Sequence, residues 1–198
     1  MHCLTKIPRT NFEKKPYNNP AEQLFRGKVP IEKAVSFFYF TNESPYRDLI
    51  HLTKYAGEKE CGFYLGALYA RELMSENFFC DIDLIVPVPL HPKRLRKRGY
   101  NQSMWIAKGI SEITRLPIED KLLFRTGLNE SQTHKSRYQR WENTRDIFTK
   151  GNYSQAEGKH LLLIDDVITT GATLLACTET LSTIKNIKIS VLTLAIAE

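Results

Sequence analysis

Short apolar runs and helical stripes alternate along this chain. Residues 34–41, "AVSFFYFT", are aromatic and β-branched and read as a strand. Ser44 and Pro45 open a helical stretch in which Leu49, Leu52 and Tyr55 share a face and Gly57 supplies the stop. From Cys61 to Met74 apolar residues recur at helical spacing, with Leu65, Leu68, Tyr69 and Leu73 on the core face. Residues 83–90, "DLIVPVPL", form a buried strand whose two prolines end its hydrogen bonding abruptly. Asn101 caps a helix carrying Met104, Trp105, Ala107 and Ile110. Residues 122–125 are a short strand candidate, and order resumes at Ile147 and Phe148. Four aliphatic residues at 161–164 make a core strand, a helix follows over about 173–184, and "KISVLTLAIAE" closes the chain as a strand. Strands alternating with helices predict an α/β fold, a mostly parallel twisted sheet flanked by helices.

Two segments lack periodicity. Residues 1–30 are rich in Lys, Asn and Pro and read as an irregular N-terminal arm. Residues 126–143 are polar and long for a structureless segment in a compact domain, which makes them a candidate lid over a site.

Composition narrows the class. Hydrophobic residues are 42% of the 198, and no apolar run has the length of a membrane span, so membrane insertion is not expected. "MHCLTKIPRT" has no apolar signal region, which points to the cytoplasm. Cys3, Cys61, Cys80 and Cys177 form no C-x-x-C pair and are expected to be free thiols with no zinc site among them. A net charge of +6 and a pI near 9.1 suit nucleic acid or a phosphorylated small molecule. The charge is concentrated: one run, "HPKRLRKRGYNQ", carries Arg94, Arg96, Lys97 and Arg98, and a second stretch spans 135–145. His51, His91, His134 and His160 are isolated and have no sequence partner for acid–base work.

The densest chemistry lies in "HLLLIDDVITTGATL", residues 160–174. A core strand meets Asp165 and Asp166, and then Thr169, Thr170, Gly171, Ala172 and Thr173 lead into a helix. Ligands of doubly wound sheets bind at such strand ends. Gly171 permits close backbone approach, and unpaired N–H groups at the helix start favour phosphate. The carboxylates suit hydroxyl donors or a hydrated metal ion. A ribose 5-phosphate satisfies both halves. A bare capped junction needs one side-chain oxygen, whereas this turn has two acids and three threonines.

The stretch closely resembles the phosphoribosyl-diphosphate motif of type I phosphoribosyltransferases. The resemblance implies that Asp165 and Asp166 contact the ribose hydroxyls and that residues 169–173 hold the 5-phosphate. "VPVPLHPKRLRKRGYNQS", "LIHLTKYAGEKECGFYLG" and "SQTHKSRYQRWENTRDIF" are similar to segments of one branch, the ComF (GntX-like, competence-associated) family. That likeness runs from about residue 20 to the end. Thr144 stands where an apolar residue is common. Family members usually begin with a small lobe of two C-x-x-C pairs, consistent with zinc. Here Cys3 sits at the place of the final cysteine, so residues 1–30 resemble a remnant of that lobe and no zinc is expected in this chain.

The resemblance implies a type I phosphoribosyltransferase-like domain over residues 31–198, with a small hood at roughly 31–80 and a core at roughly 81–198. Its substrate would be phosphoribosyl diphosphate with Mg2+ held near Asp165 and Asp166. Val88 and Pro89, with Arg98, Gly99, Tyr100 and Asn101, would take the pyrophosphate side. Gln132, Arg137, Arg140 and Asn143 would belong to the flexible loop. The acceptor is not legible, and the aromatics of 35–70 read as hood or as core. Two classes stay open. One is a glycosyltransferase moving a phosphoribosyl group to an unidentified acceptor. The other is a non-catalytic accessory of competence or DNA uptake, keeping the site as a sensor or relic and binding single-stranded DNA or the competence machinery. Oligomeric state is open in both.

Overall fold

The computed structural model describes residues 7–15, 17–41, 46, 49, 50, 53, 59–127 and 147–197. In chain order these form a 3-10 turn (Phe12–Lys14), α1 (Pro20–Gln23), β1 (Ala34–Phe40), α2 (Lys59–Met74), β2 (Leu84–Pro87), α3 (Pro92–Arg98) and α4 (Gln102–Thr114). Then follow β3 (Leu123–Arg125), β4 (Phe148–Lys150), β5 (His160–Ile168), α5 (Ala172–Leu181) and β6 (Lys188–Ala197). Most of the helix expected near Leu52, Tyr55 and Gly57 lies outside the described residues, as does most of the polar segment, with Gln132, Arg137, Arg140 and Asn143.

The α/β class is as the pattern predicted. Four strands in the order β1-β6-β5-β2 form a wholly parallel sheet. Leu161, Leu162, Leu163 and Ile164 alternate between its faces and are all fully buried, so both faces are covered. β1, inside the stretch assigned to the hood, is a strand of this same sheet. Its outer edge is closed by the N-terminal arm: Thr10 N–H donates to Phe37 O at 3.2 Å, and Tyr39 N–H donates to Pro8 O at 3.0 Å. Arg9 then clamps the arm to α2, giving two hydrogen bonds to the Glu72 carboxylate at 3.1 and 2.9 Å. At the other edge Ile85 exchanges hydrogen bonds with residues 117–119. β3 and β4 form a separate antiparallel ladder.

The close helix pair α2–α4 depends on glycine. A Cβ on Gly109 would sit 2.0 Å from Phe63 O, and one on Gly66 would sit 2.4 Å from Ile106 O. α4 in turn packs on β5 and β2, which fixes its N-terminus beside their ends. Among the described residues no helix is long and apolar enough to cross a membrane.

Two elements differ from the pattern-based expectation. β5 does not stop at Ile164 but runs through Asp165 and Asp166 to Ile168. The reason is its neighbours: β6 continues to pair with it, Asp165 opposite Thr193 and Ile168 opposite Ile196. β2 pairs only as far as Pro87 opposite Ile164. The second difference is α3, a seven-residue helix inside the basic run. It has no apolar stripe, but its punctuation is complete. His91 Nδ1 accepts from Lys93 N–H at 3.1 Å, Pro92 occupies the first turn, and Gly99 ends it at φ 85°.

Candidate functional site

β5 outruns β2, and the crevice opens where the pairing ends. Val88 N–H still donates to Ile164 O at 2.9 Å, but Pro89 has no N–H and the chain turns away. A cavity of about 240 Å³ fills the gap. β5 lines it with Asp165, Asp166 and Val167; the departing chain contributes Val88, Pro89 and Leu90. α3 contributes Arg94 and Arg98, the start of α4 contributes Asn101, Gln102 and Ser103, β3 contributes Arg125, and α5 contributes Thr173.

A second, smaller concavity of about 40 Å³ adjoins it, sharing Asp165, Val167 and Thr173. Its wall is the turn from Thr169 to Thr173. Gly171 sits there in the left-handed region at φ 76° and begins α5, its carbonyl accepting from Leu175 N–H at 2.8 Å. Ala172 N–H donates to Thr170 Oγ1 at 3.4 Å. The helix start and its N–H groups therefore face this concavity, while Asp165 stands at its junction with the larger one, which Asp166 lines.

The carboxylates are held by short bonds. Asp165 Oδ1 accepts from Ser103 Oγ and from Asp166 N–H, both at 2.9 Å. Asp166 Oδ1 accepts from Val167 N–H at 2.8 Å. Ser103 is itself placed by the cap of α4: Asn101 Oδ1 accepts from Ser103 N–H at 3.2 Å, and Asn101 Nδ2 donates to Val88 O at 2.9 Å. One asparagine thus ties the strand end, the helix and the acid together.

Helical geometry sorts the basic run. Arg94 and Arg98, four apart, reach the cavity from one face of α3, whereas Arg96 and Lys97 are exposed and do not line it. Burial, then the neighbouring cations led by Arg125, pushes the His91 imidazole below its ordinary value. That suits its neutral role as a cap acceptor. Arg125 is pushed down by burial and then by Arg94, against the opposing pull of Cys177 and Asp165.

Of the residues expected at the site, Asp165, Asp166, Val88, Pro89, Arg98, Asn101 and Thr173 meet on the larger cavity. Thr169, Thr170, Gly171 and Ala172, with Thr173, form the smaller one. Gly99 serves as the C-cap of α3. Tyr100 points to the other side: its hydroxyl donates to Thr53 O at 2.9 Å, and it lines an apolar cleft of about 440 Å³ with Leu95, Trp105 and Phe124. Ser103 and Arg125 belong to the site and are missing from the sequence reading. Ser103 had a local signal, since it follows a capping Asn by two residues. Arg125 had none. Among the described residues no group of three or more His, Cys, Asp or Glu is placed to hold a metal ion by itself.

No family model matches the chain. Curated relatives include the DNA utilization protein YhgH of Escherichia coli (strain K12), 29% identical over 132 residues that cover 65% of this chain and 57% of that protein. The Competence protein ComFC of Bacillus subtilis is 37% identical over 91 residues, 46% of this chain and 35% of that one. Competence protein F of Haemophilus influenzae is 31% identical over 93 residues, 46% and 41% of the two chains. The chain thus spans somewhat over half the length of the E. coli relative. Solved structures similar to it include the allosteric regulatory enzyme of purine biosynthesis, with TM-score 0.43, 18% identity, and coverage of 68% of this chain and 26% of that one. Another is adenine phosphoribosyltransferase from Saccharomyces cerevisiae, with TM-score 0.40, 15% identity and 72% coverage of each. The ComF resemblance in the motifs is met by relatives named for competence and DNA utilization.

Proposed function

We propose that this protein binds phosphoribosyl diphosphate and transfers its phosphoribosyl group to an acceptor nucleophile, releasing pyrophosphate. One observation carries the reading. The crevice at the end of β5 joins a carboxylate pair to a glycine-started helix turn, so hydroxyl acceptors and phosphate donors adjoin in one place. The turn 169–173 takes the 5-phosphate through backbone N–H groups and the positive end of α5. Asp165 and Asp166 accept hydrogen bonds from the ribose hydroxyls and favour positive charge developing on the ring carbon. Arg94 and Arg98 face the diphosphate.

The acceptor forms a bond to C1 of the ribose as the C1–oxygen bond to pyrophosphate breaks, the electron pair leaving with pyrophosphate. The acceptor's proton passes to solvent or to a base outside the described residues. The protein's share is positioning and charge stabilisation. Asp165 and Asp166 would hold Mg2+ beside the ligand, their carboxylates being the hard oxygen donors this ion takes. Bound there, it supplies charge neutralisation on the diphosphate. A cytoplasmic location is part of this reading.

Calorimetric titration with phosphoribosyl diphosphate and Mg2+ tests the binding. A panel of purine, pyrimidine and amine acceptors, read by pyrophosphate release, tests the transfer. Absence of binding sinks the reading; binding without release on any acceptor reduces it to a sensor. A second reading, an accessory protein that binds single-stranded DNA, is favoured by the relatives' names and by one surface. Lys59 and Lys108 stand 4.9 and 4.6 Å from the centre of the Trp105 ring, and Trp105 shares a cleft with Leu95 of α3, whose Arg96 and Lys97 are exposed. A steep fall of DNA affinity with salt, together with weaker binding at every salt concentration in Trp105→Ala, supports it.

A further inference from the structure

We propose that Arg125, paired with Arg94, receives the diphosphate end of the ligand and makes the crevice discriminate phosphoribosyl diphosphate from ribose 5-phosphate. This inference rests on the reading above and names a part of the site that lies outside every motif of the sequence.

Arg125 projects from β3, and its Nε is buried with no hydrogen-bond acceptor. Its guanidinium lies 5.4 Å from the centre of the Phe148 ring, a contact that orients the group without supplying an anion. Among the described residues neither Arg125 nor Arg94 takes part in an ion pair. Yet the two cations share one cavity and oppose each other. The carboxylate that favours Arg125's charge is Asp165, on another wall of the cavity. The thiol of Cys177, also nearby, is held neutral by burial. A partly desolvated guanidinium facing a second one is unfavourable when nothing lies between them. An anion there removes both costs.

The fork of a guanidinium matches two oxygens of one phosphoryl group, so a diphosphate suits a pair of arginines better than a single carboxylate does. Position adds the selectivity. Arg125 lines the larger cavity but not the 169–173 concavity, and Asp165 lies at their junction. A ligand with its 5-phosphate in the helix turn and its hydroxyls on Asp165 and Asp166 presents only its C1 substituent to Arg125. Ribose 5-phosphate has no phosphate there. β3 is far in sequence from both α3 and β5, so this contact is created by the fold alone.

The test uses the full chain and three probes with Mg2+ present: phosphoribosyl diphosphate, ribose 5-phosphate and inorganic pyrophosphate. Arg125→Met keeps the stem over Phe148 and removes the charge, and Arg125→Lys restores the charge without the fork. Arg125→Met is expected to weaken the two diphosphate ligands about ten-fold or more and ribose 5-phosphate less than about two-fold. Arg125→Lys should recover part of the loss. The ligand-free melting temperature of Arg125→Met should stay level or rise, because an unpaired cation is removed; a purely structural arginine would give a fall. Equal weakening of all three probes, or of none, overturns the inference while leaving the phosphoribosyl reading in place. A parent protein that binds pyrophosphate through Arg125 but not phosphoribosyl diphosphate sinks that reading and, with it, the discrimination proposed here, leaving Arg125 as a diphosphate contact alone. A parent that binds none of the three sinks both.

Discussion

Adding one methyl group at Gly109 should open the α2–α4 interface and loosen the site at its far end. A Cβ there would lie 2.0 Å from Phe63 O and 2.8 Å from Ala67 N, both backbone atoms of the facing helix. Reaching ordinary contact requires the helices to part by about 1.4 Å, because no flexible side chain can yield instead. Such overpacking costs about 1–3 kcal/mol, offset by about 1 kcal/mol from the better helix propensity of alanine. A clash this close with rigid backbone lies in the upper part of that range, so the net expectation is a loss of about 1–2 kcal/mol, or roughly 2–8 °C in melting temperature for a chain of this size. Gly62→Ala is the internal control. Its nearest neighbours would be Trp105 Cβ at 3.5 Å and Ile106 Cγ1 at 3.6 Å, ordinary contacts, so propensity wins and stability should hold or rise. Urea and thermal unfolding of the two variants beside the parent measure both signs. Because α4 begins with the residues that place Ser103 on Asp165, Gly109→Ala should also weaken ligand binding in the folded protein. The reasoning is refuted if Gly109→Ala unfolds at or above the parent midpoint, or if Gly62→Ala loses more than Gly109→Ala.

Three further expectations follow from the site and the sheet. Asp165→Asn combined with Asp166→Asn should weaken phosphoribosyl diphosphate by about 1.5–3 kcal/mol per charged hydrogen bond lost, read by calorimetry; unchanged affinity places the ligand elsewhere. Ser103→Ala removes the 2.9 Å bond to Asp165 and should cost about 1 kcal/mol in ligand binding with little change in unfolding midpoint. A fall in stability without a fall in affinity would make Ser103 a scaffold residue only. His160, buried at the foot of β5, bonds Ser190 Oγ at 2.9 Å, and burial holds its pKa below the ordinary value against the pull of Asp81. The unfolded chain therefore binds more protons between the two values, so His160's contribution is full above about pH 6.5 and is lost as pH falls through the folded value. The stability gap between the parent and His160→Gln should narrow from pH 7.5 to pH 5.5; a constant gap would show that the imidazole does not titrate across folding.

What could be read along the chain was local. The aliphatic run before Asp165, the threonine-glycine turn, the Asn101 cap and the stripe of α2 each carry their signal within a few residues, where periodicity and capping chemistry act. The α/β class followed from their alternation. α3 was also written locally, in His91, Pro92 and Gly99, but a helix without an apolar face leaves no periodic trace. The length of β5 was not local at all. Two aspartates weaken a strand signal, and only the persistence of β6 beside them, with β2 gone at Pro87, carries the strand to Ile168. Membership of the crevice divides the same way. Asp165, Asp166 and residues 169–173 are neighbours in sequence, so their grouping needs no fold. Ser103 and Arg125 are brought to them across 62 and 40 residues by the packing of α4 on β5 and by the β3–β4 ladder. Helical phase, not composition, put Arg94 and Arg98 on the cavity and kept Arg96 and Lys97 off it. The sequence thus specified which chemical groups the strand end would offer. Tertiary structure decided which distant cations would stand across from them, because contacts between remote segments exist only after the sheet and its helices have packed.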